Sequence, residues 1–96
     1  MTKTQSPMPF PIHLSVENGN EATSATTLLT RFIERAAQTF ELTLIAPPSG
    51  TTSHAESTLS VPFAERENIR IFFNIFASEM DDEYGTGLYF HMESAF

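Results

Sequence analysis

One stretch of this chain, residues 21–39, places its apolar side chains at intervals of three and four, which is helical spacing. Polar residues occupy the opposite side, so the pattern predicts an amphipathic helix that buries one face. Asn20 is the predicted N-cap, because its side chain can accept a hydrogen bond from the first helical turn. The apolar face consists of Ala25, Leu28, Leu29, Phe32, Ile33, Ala36, Ala37 and Phe40.

Alternating apolar and polar residues on both sides of this helix predict β-strands. The strictest alternation runs over residues 10–17, where Pro11 predicts a strand that starts late or lies at an edge of its sheet. A second strand is predicted over 41–46, and a polar, flexible loop over 47–56 follows it. A third strand follows, with Leu59, Val61 and Phe63 on one face, and Pro62 predicts that this strand lies at an edge of the sheet or ends there.

Residues 68–77 fit two patterns. The density of isoleucine and phenylalanine favours a strand with apolar residues on both faces. The helical alternative leaves Ile71 and Ile75 outside its apolar stripe. That stripe would consist of Ile69, Phe72, Phe73, Phe76 and Met80. We therefore predict a strand here, an acidic turn over 79–85 and a last strand over 86–94.

The predicted element order is β-α-β-β-β-β, which places the chain in the α+β class. One amphipathic helix would pack on a mainly antiparallel sheet. The length of 96 residues fits a single domain. We assign that domain to residues 10–96 and the polar, proline-interrupted residues 1–9 to a flexible N-terminal arm.

Charge is distributed unevenly along the chain, whose formal net charge is −7. Residues 1–70 carry −2, whereas residues 71–96 carry −5 and contain no lysine or arginine. The negative net charge argues against direct binding to nucleic acid or to an anionic membrane, because both are negatively charged and bind positively charged surfaces. We therefore expect a protein partner with a basic surface, no nucleic-acid or membrane binding, and a cytoplasmic location.

A single helix can cover only one face of the predicted sheet. The other face of the last hairpin would then expose a patch formed by Phe72, Phe76, Tyr89 and His91. Exposed aromatic patches on soluble proteins usually mark contact sites. The predicted partner-binding surface combines this patch with the carboxylates of Glu79, Asp81, Asp82, Glu83 and Glu93.

Three interpretations of the aromatic patch remain open at this point. It can contact a partner, and a homodimer formed through the sheet face is one version of that contact. It can be covered within the molecule, by the N-terminal arm or by the loop over 47–56. It can also belong to the core, if residues 68–77 form a helix after all.

No combination of residues predicts catalysis, a cofactor or a metal. The chain has no cysteine, which excludes disulfides, thiol nucleophiles and cysteine-zinc sites. His13, His54 and His91 are predicted on separate elements, so they do not predict a three-histidine metal site. The acidic run over 81–83 lacks the ligand register of a calcium-binding loop.

Two classes of function fit these features. The first is a non-enzymatic, acidic protein-binding module, in particular an inhibitor that docks on a basic, nucleic-acid-binding surface of its target. Small phage anti-defence proteins such as anti-CRISPR proteins act in this way, and the likeness is one of size and charge only. The alternative is a homo-oligomeric structural or accessory protein that self-associates through the aromatic sheet face.

Overall fold

The computed structural model of the chain describes residues 8–19, 22–85 and 87–95. The elements in chain order are β1 (Pro9–Asn18), α1 (Ala25–Thr39), β2 (Thr43–Gly50), β3 (His54–Pro62), a 3-10 turn (Phe63–Glu65), α2 (Arg66–Tyr84) and β4 (Leu88–Ser94). The α+β class is confirmed. The predicted order is wrong in one element, because a second helix stands where the fourth strand was expected. Neither of these helices is long and apolar enough to cross a membrane.

The four strands form one antiparallel sheet in the order β2-β3-β1-β4. β1 pairs with both β3 and β4, so β1 and β3 are central and β2 and β4 are the edges. Each helix links two strands that have a third strand between them, which is the split β-α-β topology of ferredoxin-like folds. Buried residues of both helices and of the sheet belong to one core cluster. Both helices therefore lie on the same face of the sheet.

The largest correction concerns α2, because the strand predicted over 68–77 and most of the turn predicted over 79–85 form one helix, which ends at Tyr84 and is capped by Gly85. Ile71 and Ile75 are about half exposed, as the helical alternative requires. The buried residues of this helix are Ile69, Phe73, Phe76 and Met80. The composition of residues 68–77 favoured a strand, but this segment has to connect β3 to β4. These two strands are parallel, and β1 lies between them. Parallel strands need a long crossover, and α2 supplies it.

Phe32 of α1 lies at the centre of the contact between the two helices. Its ring centroid is 5.9 Å from that of Phe72, 4.8 Å from that of Phe73 and 5.5 Å from that of Phe76. Phe73 and Phe76 lie 5.9 and 6.0 Å from Phe90 of β4. Tilted and edge-on ring pairs at these separations stabilise beyond their buried area. This aromatic cluster joins both helices to the sheet.

The start of α1 differs from the prediction, since the helix begins four residues later and Ser24 is its N-cap. The Ser24 hydroxyl accepts a hydrogen bond from the N–H of Thr27 at 3.1 Å. The predicted cap, Asn20, lies outside the described residues. Asn18 at the end of β1 is buried, and its amide donates to the Thr23 carbonyl at 2.6 Å. This bond fixes the approach of the chain to α1.

β1 begins at Pro9 and is a central strand, paired with β3 from Pro9 and with β4 from Ile12, although Pro11 predicted an edge strand or a late start. The N–H of Gly19 donates to the Gly87 carbonyl at 2.7 Å, and the N–H of Ala95 donates to the Pro11 carbonyl at 3.0 Å. Odd-numbered residues of β1 therefore bond to the β4 side. Pro11 has no backbone N–H, and an N–H at this position would point at Ala95, which lies one residue beyond the end of β4. The absence of this N–H leaves the ladder intact.

The polar loop predicted over 47–56 is mostly a β-hairpin. β2 continues through Pro47-Pro48, and β3 begins at His54. The two prolines are tolerated because β2 is an edge strand, with register shifts on either side of Ala46. Gly50 has φ 142°, and a Cβ there would clash with the His54 carbonyl oxygen. A side chain at that position would strain the hairpin.

The predicted boundaries also differ at two other places. Most of the N-terminal arm predicted over 1–9, namely residues 1–7, lies outside the described residues, and Pro9 already belongs to β1. Phe63, which was predicted to lie on the third strand, is in the 3-10 turn. Its ring packs edge-on against that of Phe10, with 5.7 Å between centroids.

We predict that Phe76→Ala and Ile75→Ala have very different effects on stability. Removing the buried Phe76 ring leaves a cavity in the aromatic cluster and costs about 3–5 kcal/mol. Removing the half-exposed Ile75 side chain costs about 1 kcal/mol or less. Urea denaturation followed by circular dichroism measures both. A larger effect of Ile75→Ala would restore the strand model, in which Ile75 is buried and Phe76 exposed.

Candidate functional site

The sheet face opposite the two helices is built from alternate residues of three strands. Side chains of β1, β3 and β4 point alternately toward the core and away from it. We call the outward-facing side the open face, because none of the described elements lies over it. Its central residues are His13, Ser15, Glu17, His54, Glu56, Thr58, Tyr89, His91 and Glu93.

The strand register arranges these nine residues as a three-by-three grid. The first row across β3, β1 and β4 is His54, Glu17 and Tyr89. The second row is Glu56, Ser15 and His91. The third row is Thr58, His13 and Glu93. Directly opposed residues on neighbouring strands lie within side-chain reach. Two of these opposed pairs, His54 with Glu17 and His13 with Glu93, place an imidazole beside a carboxylate.

Short contacts connect the imidazoles to the carboxylates. Glu56 lies between two histidines, with its Oε1 2.9 Å from His13 Nε2 and its Oε2 2.9 Å from His54 Nε2. Glu93 Oε1 is 3.2 Å from His91 Nε2. The third carboxylate, that of Glu17, is more loosely placed, 4.0 Å from His54 Nδ1.

Glu56 is the carboxylate on which these contacts act most strongly. A hydrogen bond from the His54 imidazole lowers the pKa of the Glu56 carboxyl below its ordinary range. The nearby charge of His13 lowers this pKa further. Both effects favour the ionised form, since they stabilise the negative charge that protonation would remove. Glu56 is therefore a fixed anion near the middle of the open face at neutral pH.

The open face is acidic and otherwise polar. Its three carboxylates are those of Glu17, Glu56 and Glu93, and none of its described residues is a lysine or arginine. The four arginines of the chain lie on α1 and α2 instead. Tyr89 is the one large apolar side chain of the grid, and it is 68% exposed. The face combines negative charge with one exposed aromatic ring.

The predicted partner-binding residues divide into three groups in the structure. Tyr89, His91 and Glu93 lie together on the open face. Phe76 is fully buried and Phe72 is half-buried against the ring of Phe40, 5.5 Å away. The exposed aromatic patch predicted from Phe72 and Phe76 is therefore wrong, because α2 turns both rings into the core. The fully buried Phe76 ring therefore offers no surface to a second copy of the chain.

The remaining predicted residues lie on α2 rather than on a hairpin tip. Glu79 forms an ion pair with Arg35 of α1 at 2.8 Å. Asp81, Asp82 and Glu83 are exposed in the last turn of the helix. Carboxylates at a helix C-terminus face the negative end of its dipole, which is unfavourable. The five acids of residues 71–96 thus belong to two separate surfaces, with Glu93 alone on the open face.

His13, His54, Glu17 and Glu56 were not predicted as members of a site. The three histidines were expected on separate elements, and the sheet order brings them to one face. The available signal was the spacing of alternate residues, His13 with Glu17 and His54 with Glu56, each on the polar side of a strand. Within the described ranges, no group of three or more potential ligands is arranged to hold a metal ion.

Comparisons with known proteins add no family. No family model matches the chain, and no curated protein matches it. The open face must therefore be interpreted from its own chemistry.

We predict that Glu56→Gln destabilises the protein near neutral pH and much less at acidic pH. A carboxyl whose pKa is lower in the folded than in the unfolded state stabilises the fold above its unfolded value. That contribution is lost as the pH falls through the folded-state pKa. Urea denaturation midpoints at pH 6.5 and at pH 3 measure the difference between wild type and variant.

The matched control is Glu34→Gln on the exposed side of α1, which removes the same charge away from the sheet. We expect a small change in stability for this variant. If Glu56→Gln behaves like Glu34→Gln at both pH values, the contacts of Glu56 with His13 and His54 do not stabilise the fold.

Proposed function

We propose that this protein is a non-enzymatic binding module whose open face docks on a basic surface of another protein. Where that surface binds nucleic acid, docking would block it and the module would act as an inhibitor. The observation that supports this proposal is the acidic open face itself, with Glu17, Glu56 and Glu93 and no described lysine or arginine. Complementary charge accelerates association and selects partners.

Tyr89 supplies the second property that a docking surface needs. Charged rims steer association, but aromatic anchors at the centre of an interface contribute most of the affinity. Tyr89 is the most exposed large apolar residue of the sheet. It lies beside Glu17 of β1 and near His91 of its own strand. A partner with a pocket for the ring and a lysine or arginine for Glu17 would match this corner of the face.

The last turn of α2 is the competing surface for such a partner. Asp81, Asp82 and Glu83 also present three carboxylates, and they lie on the helical layer rather than on the sheet. Both surfaces therefore offer the same formal charge. The open face adds an exposed ring and a rigid backbone ladder, and we favour it for that reason.

Two triple variants distinguish these surfaces. Glu17→Gln/Glu56→Gln/Glu93→Gln and Asp81→Asn/Asp82→Asn/Glu83→Gln each remove three charges. Both variants and the wild type are immobilised and exposed to a lysate of the cells that produce the protein. We expect a partner that the wild type and the α2 variant retain and the open-face variant loses, with association that slows at high salt.

Circular dichroism on each variant establishes that loss of binding does not reflect loss of the fold. Retention by the open-face variant together with loss by the α2 variant would move the docking surface to the end of α2. Equal retention by all three proteins would contradict a role for either acidic surface.

A further inference from the structure

All three histidines of this chain lie on the open face. The sequence contains His13, His54 and His91 and no other histidine. The register places one on each of β1, β3 and β4, on the same side of the sheet as the carboxylates. Histidine is the side chain whose ordinary pKa lies between pH 5 and 8. The imidazoles of the chain are therefore concentrated on one surface.

We propose that the open face is a proton-controlled docking surface, which holds a cationic partner segment above neutral pH and releases it in mild acid. This inference rests on the proposed function, because it concerns regulation of the same surface. With neutral imidazoles the face carries the three negative charges of Glu17, Glu56 and Glu93. With three protonated imidazoles its formal charge is zero, and the attraction for a cation is lost.

The geometry shows how the histidines would compete with a partner. Both oxygens of Glu56 already face imidazole nitrogens, those of His13 and His54, at 2.9 Å. Glu93 faces His91 at 3.2 Å. A neutral imidazole competes weakly with a cation of the partner for a glutamate carboxylate. An imidazolium competes strongly, because its positive charge makes the hydrogen bond to the carboxylate shorter and stronger. Protonation thus gives each of these carboxylates an internal cation in place of a lysine or arginine of the partner.

Among the described residues, the charged groups that contact the histidines are the carboxylates of the open face. His54 faces Glu17 across the strands and Glu56 along its own strand. His13 faces Glu93 and Thr58 across the strands and Glu56 diagonally. His91 lies between Tyr89 and Glu93 on β4. From β2, the residues paired with the open-face positions of β3 are Thr43, Ala46 and Ser49, and they carry no charge.

The last turn of α2 provides an internal comparison, because it has carboxylates but no histidine. Asp81, Asp82 and Glu83 present the same formal charge of −3, and none of the three histidines lies on that helix. Carboxylates remain ionised between pH 5.5 and 7.5, since their ordinary pKa values are near 4. A cation bound at the end of α2 would therefore show no release in mild acid.

The test measures the affinity of a decalysine peptide at pH 7.5 and at pH 5.5, at one ionic strength, by fluorescence anisotropy. Lysine keeps its charge throughout this range, so changes in affinity report the protein. We expect the wild type to bind about tenfold more weakly at pH 5.5, the change expected for the loss of three exposed ion pairs. The variant His13→Gln/His54→Gln/His91→Gln should change less than about twofold.

Two further variants separate failure of this inference from failure of the proposed function. At pH 7.5, Glu17→Gln/Glu56→Gln/Glu93→Gln should bind the peptide more weakly than Asp81→Asn/Asp82→Asn/Glu83→Gln. If that order holds but the histidine variant keeps the tenfold loss at pH 5.5, proton control is wrong and the docking surface stands. If the order is reversed or absent, the docking surface itself is wrong. Circular dichroism at both pH values establishes that each variant is folded.

Discussion

The packing of the two helices against each other through Phe32 determines which face of the sheet is buried and which stays open. Phe32 contacts three rings of α2, and two of these contact Phe90 on β4. A small domain has little core to spare, so burying this cluster requires both helices on one side. Ion pairing of Arg35 with Glu79 and a 2.7 Å hydrogen bond from Arg31 to the Tyr84 hydroxyl support the same contact at its surface.

An open sheet face follows from that arrangement. Residues that alternate with the buried ones along β1, β3 and β4 have no helix to pack against, and apart from Tyr89 those of the grid are polar or charged. Histidine and glutamate occupy most of the grid, in a pattern that places opposite chemical types side by side on neighbouring strands. The same arrangement separates the acidic open face from the helical layer, which carries the arginines. The helices also carry acids, among them Asp81, Asp82 and Glu83, so the four arginines are confined to the helical side whereas negative charge lies on both sides.

Local patterns in the sequence predict much of this fold, and topology accounts for what they miss. The alternation in β1 and the helical spacing in α1 can be recognised in the sequence, because each segment has one apolar face for the core and one polar face. In α2, the aromatic density that favours a strand also fits a buried helical stripe. The choice between strand and helix depends on the position of β1 between β3 and β4, because these parallel strands need a crossover. Tyr89 and His91 could be placed on an open face from alternation. Their neighbours His13 and Glu56 could not, because strand order is not encoded in any single segment.

The most direct measurement of the central claim maps where a cation binds. Amide chemical shifts of the labelled protein are recorded during addition of decalysine at pH 7.5. The account predicts that the largest changes fall on β1, β3 and β4, around Ser15, Glu56 and His91, and diminish at pH 5.5. Changes confined to the last turn of α2, around Asp82, would contradict it.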